Sequence, residues 1–140
     1  SKIDGGLTID GWYVTSAILS NLKEITGDCT IVGTSLKTLH GICNLEKIGG
    51  ELSIMENAVL KDTELEKLKK VGGNLHIQGN SELIIIEGLK ELSKVGGDME
   101  IVYNTELSTR QAEKIREQLK SKGGINGTVV ISGNTGFDPY

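Results

Sequence analysis

The chain has almost no proline: a single one, Pro139, in 140 residues. Aromatic residues make up only 4%, so any core has to be aliphatic. No apolar run approaches the roughly 18–20 residues of a membrane span. Cysteine is limited to Cys29 and Cys43, which cannot form a zinc site alone and are read as either a disulfide or two free thiols. Lysines and acids are interleaved at a formal net charge of −4, with no basic run along the chain, which argues against nucleic acid as a partner.

Glycine is plentiful, at 19 residues. A disordered or linker-rich chain would carry more proline and less Ile, Leu and Val. Many glycines with few prolines predict tight turns inside a regular ladder. A hydrophobic fraction of 37% and a charged fraction of 24% are those of an ordinary globular chain long enough for one domain, taken as residues 1–140.

The glycines are periodic. The segments "GGLTI" (5–9), "GDCTI" (27–31), "GELSI" (50–54), "GNLHI" (73–77), "GDMEI" (97–101) and "GTVVI" (127–131) align on glycines 22, 23, 23, 24 and 30 residues apart. A hydrophobic residue stands two before each glycine, at Ile3, Ile25, Ile48, Val71, Val95 and Ile125. An asparagine follows the strand isoleucine by three at Asn57, Asn80, Asn104 and Asn134, with a leucine three later at Leu60, Leu83 and Leu107. The second unit departs, with Thr34 in the asparagine slot, and the first departs more, with Trp12 there.

Period two within each segment predicts a strand. Leu7/Ile9, Cys29/Ile31, Leu52/Ile54, Leu75/Ile77, Met99/Ile101 and Val129/Ile131 are expected to point into the core. A five-residue strand returning every 22–24 residues is too far from its neighbour for a hairpin but can stack on it in parallel, the logic of a solenoid. The repeat units fall near 3–24, 25–47, 48–70, 71–94, 95–124 and 125–134. The predicted fold is mainly β: one right-handed parallel β-helix of about six coils. Stacked asparagines are expected to bond turn backbone from coil to coil. The longer fifth unit contains a predicted helix over about 109–122: Ser108 and Gln111 form a capping-box pattern, and Ala112, Ile115 and Leu119 share a face.

The register hydrophobic-x-Gly-x-hydrophobic-x-Ile-x-x-Asn, then Leu three later, in "LEKLKKVGGNLHIQGNSEL" (65–83) and "LKELSKVGGDMEIVYNTEL" (89–107) resembles the receptor L domain. That module is the leucine-rich β-helix of insulin and epidermal growth factor receptor ectodomains. The resemblance covers roughly residues 3–134. It implies an extracellular or cell-surface setting, secreted or anchored by a segment outside this chain, and ligand recognition on the sheet face. Receptor L domains are usually tied at their ends by disulfides, which these two early cysteines do not reproduce.

Chemistry is sparse. No Gly-Lys-Ser/Thr follows any glycine pair, and a strand rather than a helix begins there, which excludes a nucleotide-phosphate loop. His76, near Ser53 and Glu100 on adjacent strands, raises a hydrolase arrangement, but a flat exposed face offers no oxyanion hole. No enzyme activity, catalytic residue, cofactor or metal is therefore expected. The expected partner is a protein, bound non-enzymatically on the outer face of the sheet through Thr30, Val32, Ser53, Met55, His76, Gln78, Glu100, Val102 and Tyr103, with Thr8 and Asp10 on the same face. Val32, Met55 and Val102 are expected to form an exposed apolar column. The alternatives are a carbohydrate-binding or carbohydrate-active β-helix protein, and a structural spacer without its own ligand. "NGT" at 126–128 is a glycosylation sequon at Asn126.

Overall fold

Each glycine-anchored segment becomes a strand lying parallel on the strand of the previous repeat. In the computed structural model, which describes residues 1–138, six such strands form one sheet: β2 (Leu7–Asp10), β4 (Cys29–Val32), β6 (Leu52–Met55), β8 (Leu75–Gln78), β10 (Met99–Val102) and β11 (Val129–Ser132). The hydrophobic residue two before each of the first five glycines ends a two-residue strand of a second, smaller sheet, which Ile125 extends by a single bridge to Val95. These strands are β1 (Lys2–Ile3), β3 (Glu24–Ile25), β5 (Lys47–Ile48), β7 (Lys70–Val71) and β9 (Lys94–Val95), again parallel and in register. A third side is irregular, held by the parallel bridges Thr38↔Asp62 and Asp62↔Ile85.

The chain is therefore a mainly β solenoid with parallel sheets, about four turns and one C-terminal helix. All six strand segments enter the larger sheet, but complete turns number fewer than strands, because the third-side bridges join only the second, third and fourth repeats. The first repeat makes no such bridge, and helix α1 (Thr109–Ser121) takes the place of this side in the fifth. Residues 139 and 140 of the expected 1–140 domain lie outside the described residues.

The alternation works as read. Cys29, Ile31, Leu52, Ile54, Leu75, Ile77, Met99 and Ile101 are fully buried, while Leu7, Ile9, Val129 and Ile131 on the two outermost strands are only partly covered. Parallel strands rise about 4.8 Å per coil, so each coil packs its aliphatic side chains on the next like layers.

The glycines do something other than what their number suggested. The repeat pairs Gly49–Gly50, Gly72–Gly73 and Gly96–Gly97 are absent from the left-handed region. They are needed because coils touch through backbone there: a Cβ on Gly72 would collide with the Gly49 carbonyl, and one on Gly96 with that of Gly72. Gly72 N–H donates to Ile48 O and Gly73 N–H to Gly50 O, both at 2.8 Å. Left-handed backbone falls instead on the residue just after each long strand: Gly11, Gly33, Glu56, Gly79, Tyr103 and Gly133. Glu56 and Tyr103 occupy that conformation without glycine's freedom, at a cost of about 1 kcal/mol each.

The asparagines form a buried ladder. Asn57 donates through its backbone N–H and its Nδ2 to Asn80 Oδ1, both at 3.1 Å. Asn80 does the same to Asn104 Oδ1 (3.1 and 3.0 Å), and Asn104 to Asn134 Oδ1 (3.1 and 3.0 Å). Each Nδ2 also reaches back to a strand carbonyl, Asn80 to Ile54 O at 3.0 Å. Thr34, the departure in the second unit, completes the ladder, donating from N–H and Oγ1 to Asn57 Oδ1 at 3.1 and 2.8 Å.

Candidate functional site

The outer face of the larger sheet is two columns wide. One column stacks Thr8, Thr30, Ser53, His76, Glu100 and Val130; the other stacks Asp10, Val32, Met55, Gln78, Val102 and Ser132. Strand pairing thus brings Ser53, His76 and Glu100 together as the spacing predicted. His76 Nε2 lies 3.2 Å from Glu100 Oε2 and 2.7 Å from Gln78 Oε1.

Ser53 is not poised toward that histidine. It is buried, and its Oγ donates to Glu51 Oε1 at 2.5 Å, while Asn74 Nδ2 donates to the other Glu51 oxygen at 3.2 Å. The proton a nucleophilic serine would pass to His76 is committed to a carboxylate. Glu51, Asn74, His76, Asp98 and Glu100 line a shallow dip of about 90 Å³. Among the described residues no group of three or more His, Cys, Asp and Glu side chains is arranged to hold a metal ion.

Two expected outward residues are covered. Ser53 is 4% exposed and Val102 6%. The exposed apolar column therefore does not exist: Val32 and Met55 are half-buried, Gln78 separates Met55 from Val102, and Val102 sits within the fold. Thr30, His76, Gln78 and Glu100 are half-buried on the face, and Tyr103 is 61% exposed at its edge in left-handed backbone.

A further ladder edges the face at the residue after each glycine. Asp28 Oδ1 accepts from Glu51 N–H, Asn74 Oδ1 from Asp98 N–H and Asp98 Oδ1 from Thr128 N–H, each at 2.8 Å. The second glycine of the pair makes room for it, since a Cβ on Gly50, Gly97 or Gly127 would strike the acceptor oxygen below. Taken with the corners that follow each strand, the segments 5–11, 27–36, 50–60, 73–83, 97–107 and 127–138 hold nine acids (Asp10, Asp28, Glu51, Glu56, Glu82, Asp98, Glu100, Glu106 and Asp138) and no lysine or arginine. These segments therefore carry acids without lysine or arginine of their own, with Asp138 paired to Arg110 of the helix at 3.3 Å.

Sequence reading missed one concavity. A hollow of about 850 Å³ opens on the third side at the N-terminal end, lined by Thr15, Ser16, Ser20, Ser35, Lys37, Thr38, His40 and Cys43 among others. The available signal was the irregular first unit, which has Trp12 in the asparagine slot. Both cysteines are free: Cys29 is in the core, stacked between Leu7 and Leu52, and Cys43 is half-buried at this hollow. Burial pushes the Cys29 thiol up to about 12.

The sequon residue Asn126 is exposed, between Ile125, which bridges to Val95, and strand β11. No helix among the described residues is long and apolar enough to cross a membrane. Comparison with known proteins gives no match to a family model, to a curated protein or to a solved structure.

Proposed function

We propose that this chain is a non-enzymatic recognition module of receptor L-domain type, which binds a protein partner through the outer face of its larger sheet at a cell surface or in a secreted protein. The observation that carries the reading is the acidic side: segments with nine acids and no lysine or arginine of their own, only Asp138 being paired with an arginine, and a sheet whose side chains are held by cross-strand bonds. Such a face selects a basic partner surface and speeds encounter with it. His76, Gln78, Glu100 and Tyr103 supply the centre of contact, with Thr30, Val32 and Met55 beside them. Ser53 and Val102 support the face from within. The coil is right-handed, as parallel strand crossovers almost always are, and its six strand segments correspond to six L-domain-like repeats. The exposed Asn126 suits glycosylation on a secretory route.

The test is an array of extracellular proteins probed with the domain and two variants. Glu100→Lys should remove the specific signals, while Lys70→Gln, on the opposite sheet, should keep them, with the folded circular dichroism spectrum retained in both. Signals that survive Glu100→Lys would remove the larger sheet from consideration.

A further inference from the structure

The smaller sheet carries the opposite sign. Its strand-start column reads Lys2, Glu24, Lys47, Lys70, Lys94. The preceding residues stack as Lys23, Glu46, Lys69 and Ser93, through Glu46 N–H to Lys23 O, Lys69 N–H to Glu46 O and Ser93 N–H to Lys69 O. Toward the N-terminal end acids offset the lysines: Lys2 Nζ is 3.3 Å from Asp4 and Lys47 Nζ 3.6 Å from Glu24. Toward the C-terminal end they do not. Lys69, Lys70 and Lys94 are exposed and make no ion pair among the described residues. Glu66 and Glu91 stand only in the flanking segments, each next to its own lysine, Lys67 and Lys90.

Lys70 and Lys94 are direct cross-strand neighbours about 4.8 Å apart in backbone, a placement of like charges that destabilises a sheet. They continue a lysine column that begins at Lys47, which Glu24 partly offsets, so the unpaired charge lies at Lys70 and Lys94 with Lys69 beside them. We infer that this lysine ladder is a binding surface for an acidic polysaccharide lying along that axis. A polymer that repeats its charge meets a surface that repeats its own. No aromatic side chain among the described residues lies on this face, so nucleic-acid bases would have nothing to stack on. The exposed apolar residues nearest this sheet, Ile18 and Leu19, lie with Lys2 at the other end, so the ladder has no apolar wedge for a lipid surface. The proposal concerns a different face from the acidic one and stands without it.

Binding of the domain to immobilised dextran sulfate tests it, with uncharged dextran as blank. Wild type should bind dextran sulfate alone, more weakly as salt rises. The variant Lys70→Gln/Lys94→Gln should lose about tenfold or more in affinity. The variant Lys37→Gln/Lys61→Gln, which removes the same charge from the third side, should bind like wild type. No binding at low ionic strength would overturn the proposal, as would equal losses in the two double variants. It would also be overturned if a single-stranded oligonucleotide or phosphatidylserine vesicles bound more tightly through the same lysines.

Discussion

Asn80 is wholly buried, and its amide serves four groups: the Asn57 N–H, the Asn57 amide, the Ile54 carbonyl and the Asn104 Oδ1. Asn80→Ala removes all four of these bonds and leaves the buried Asn57 N–H without its acceptor, and a loss of roughly 3 kcal/mol is expected, read as a lower denaturant midpoint. The ladder was legible because asparagine is the one polar residue that recurs at a core-adjacent position. The left-handed column was not, because Glu56 and Tyr103 interrupt its glycines. Nor was the burial of Ser53 and Val102, since alternation sets which way a side chain points and not how far its neighbours cover it. The cysteines give a second test at this scale. In native protein Cys43 should react with a thiol reagent and Cys29 only after unfolding. Because Cys29 is raised from 9.0 to about 12, the folded state holds its proton more tightly than the unfolded one. Its contribution is complete below about pH 9 and declines as pH rises toward 12. Denaturant titrations at pH 8 and 10.5 should therefore show a smaller alkaline loss in Cys29→Ala than in wild type.

At the scale of elements, the helix shows both what the chain order reveals and what it hides. Its span, Thr109–Ser121, is close to the 109–122 expected, and Ser108 caps it by accepting from Gln111 N–H at 3.3 Å. Ala112, Ile115 and Leu119 are buried as one face. The capping box is only half made, because the Gln111 side chain leaves the helix. Its Oε1 accepts from Ile86 N–H at 3.0 Å and its Nε2 donates to Ile84 O at 2.5 Å. Gln118 Nε2 likewise donates to Leu89 O and Leu92 O, at 3.0 and 2.6 Å. The two glutamines let the helix close the third side, where a strand of the next coil would otherwise pair. Local pattern could not show this, since the partners are 25 or more residues away. Gln111→Ala is expected to cost roughly 2 kcal/mol and to speed amide exchange at Ile86 ahead of the core strands.

Over the whole molecule, charge is sorted in a way the linear sequence conceals. Lysines and acids alternate along the chain, yet a period near 23 residues gathers acids into the larger-sheet segments and stacks Lys47, Lys70 and Lys94 along the smaller sheet. Reading the chain for a basic run finds nothing, because the run lies across coils. The same period made the solenoid legible before any coordinate, while the number of complete turns depended on a third side whose sequence is irregular. The most direct test of the acidic face is carboxylate footprinting: carbodiimide labelling of the domain, free and bound to a protein captured by the array, read by mass spectrometry. Glu56 and Glu100 should be protected in the complex while Glu66 and Glu91, beside the smaller sheet, label as in the free domain. Protection of Glu66 and Glu91 with Glu56 and Glu100 still fully labelled would contradict it.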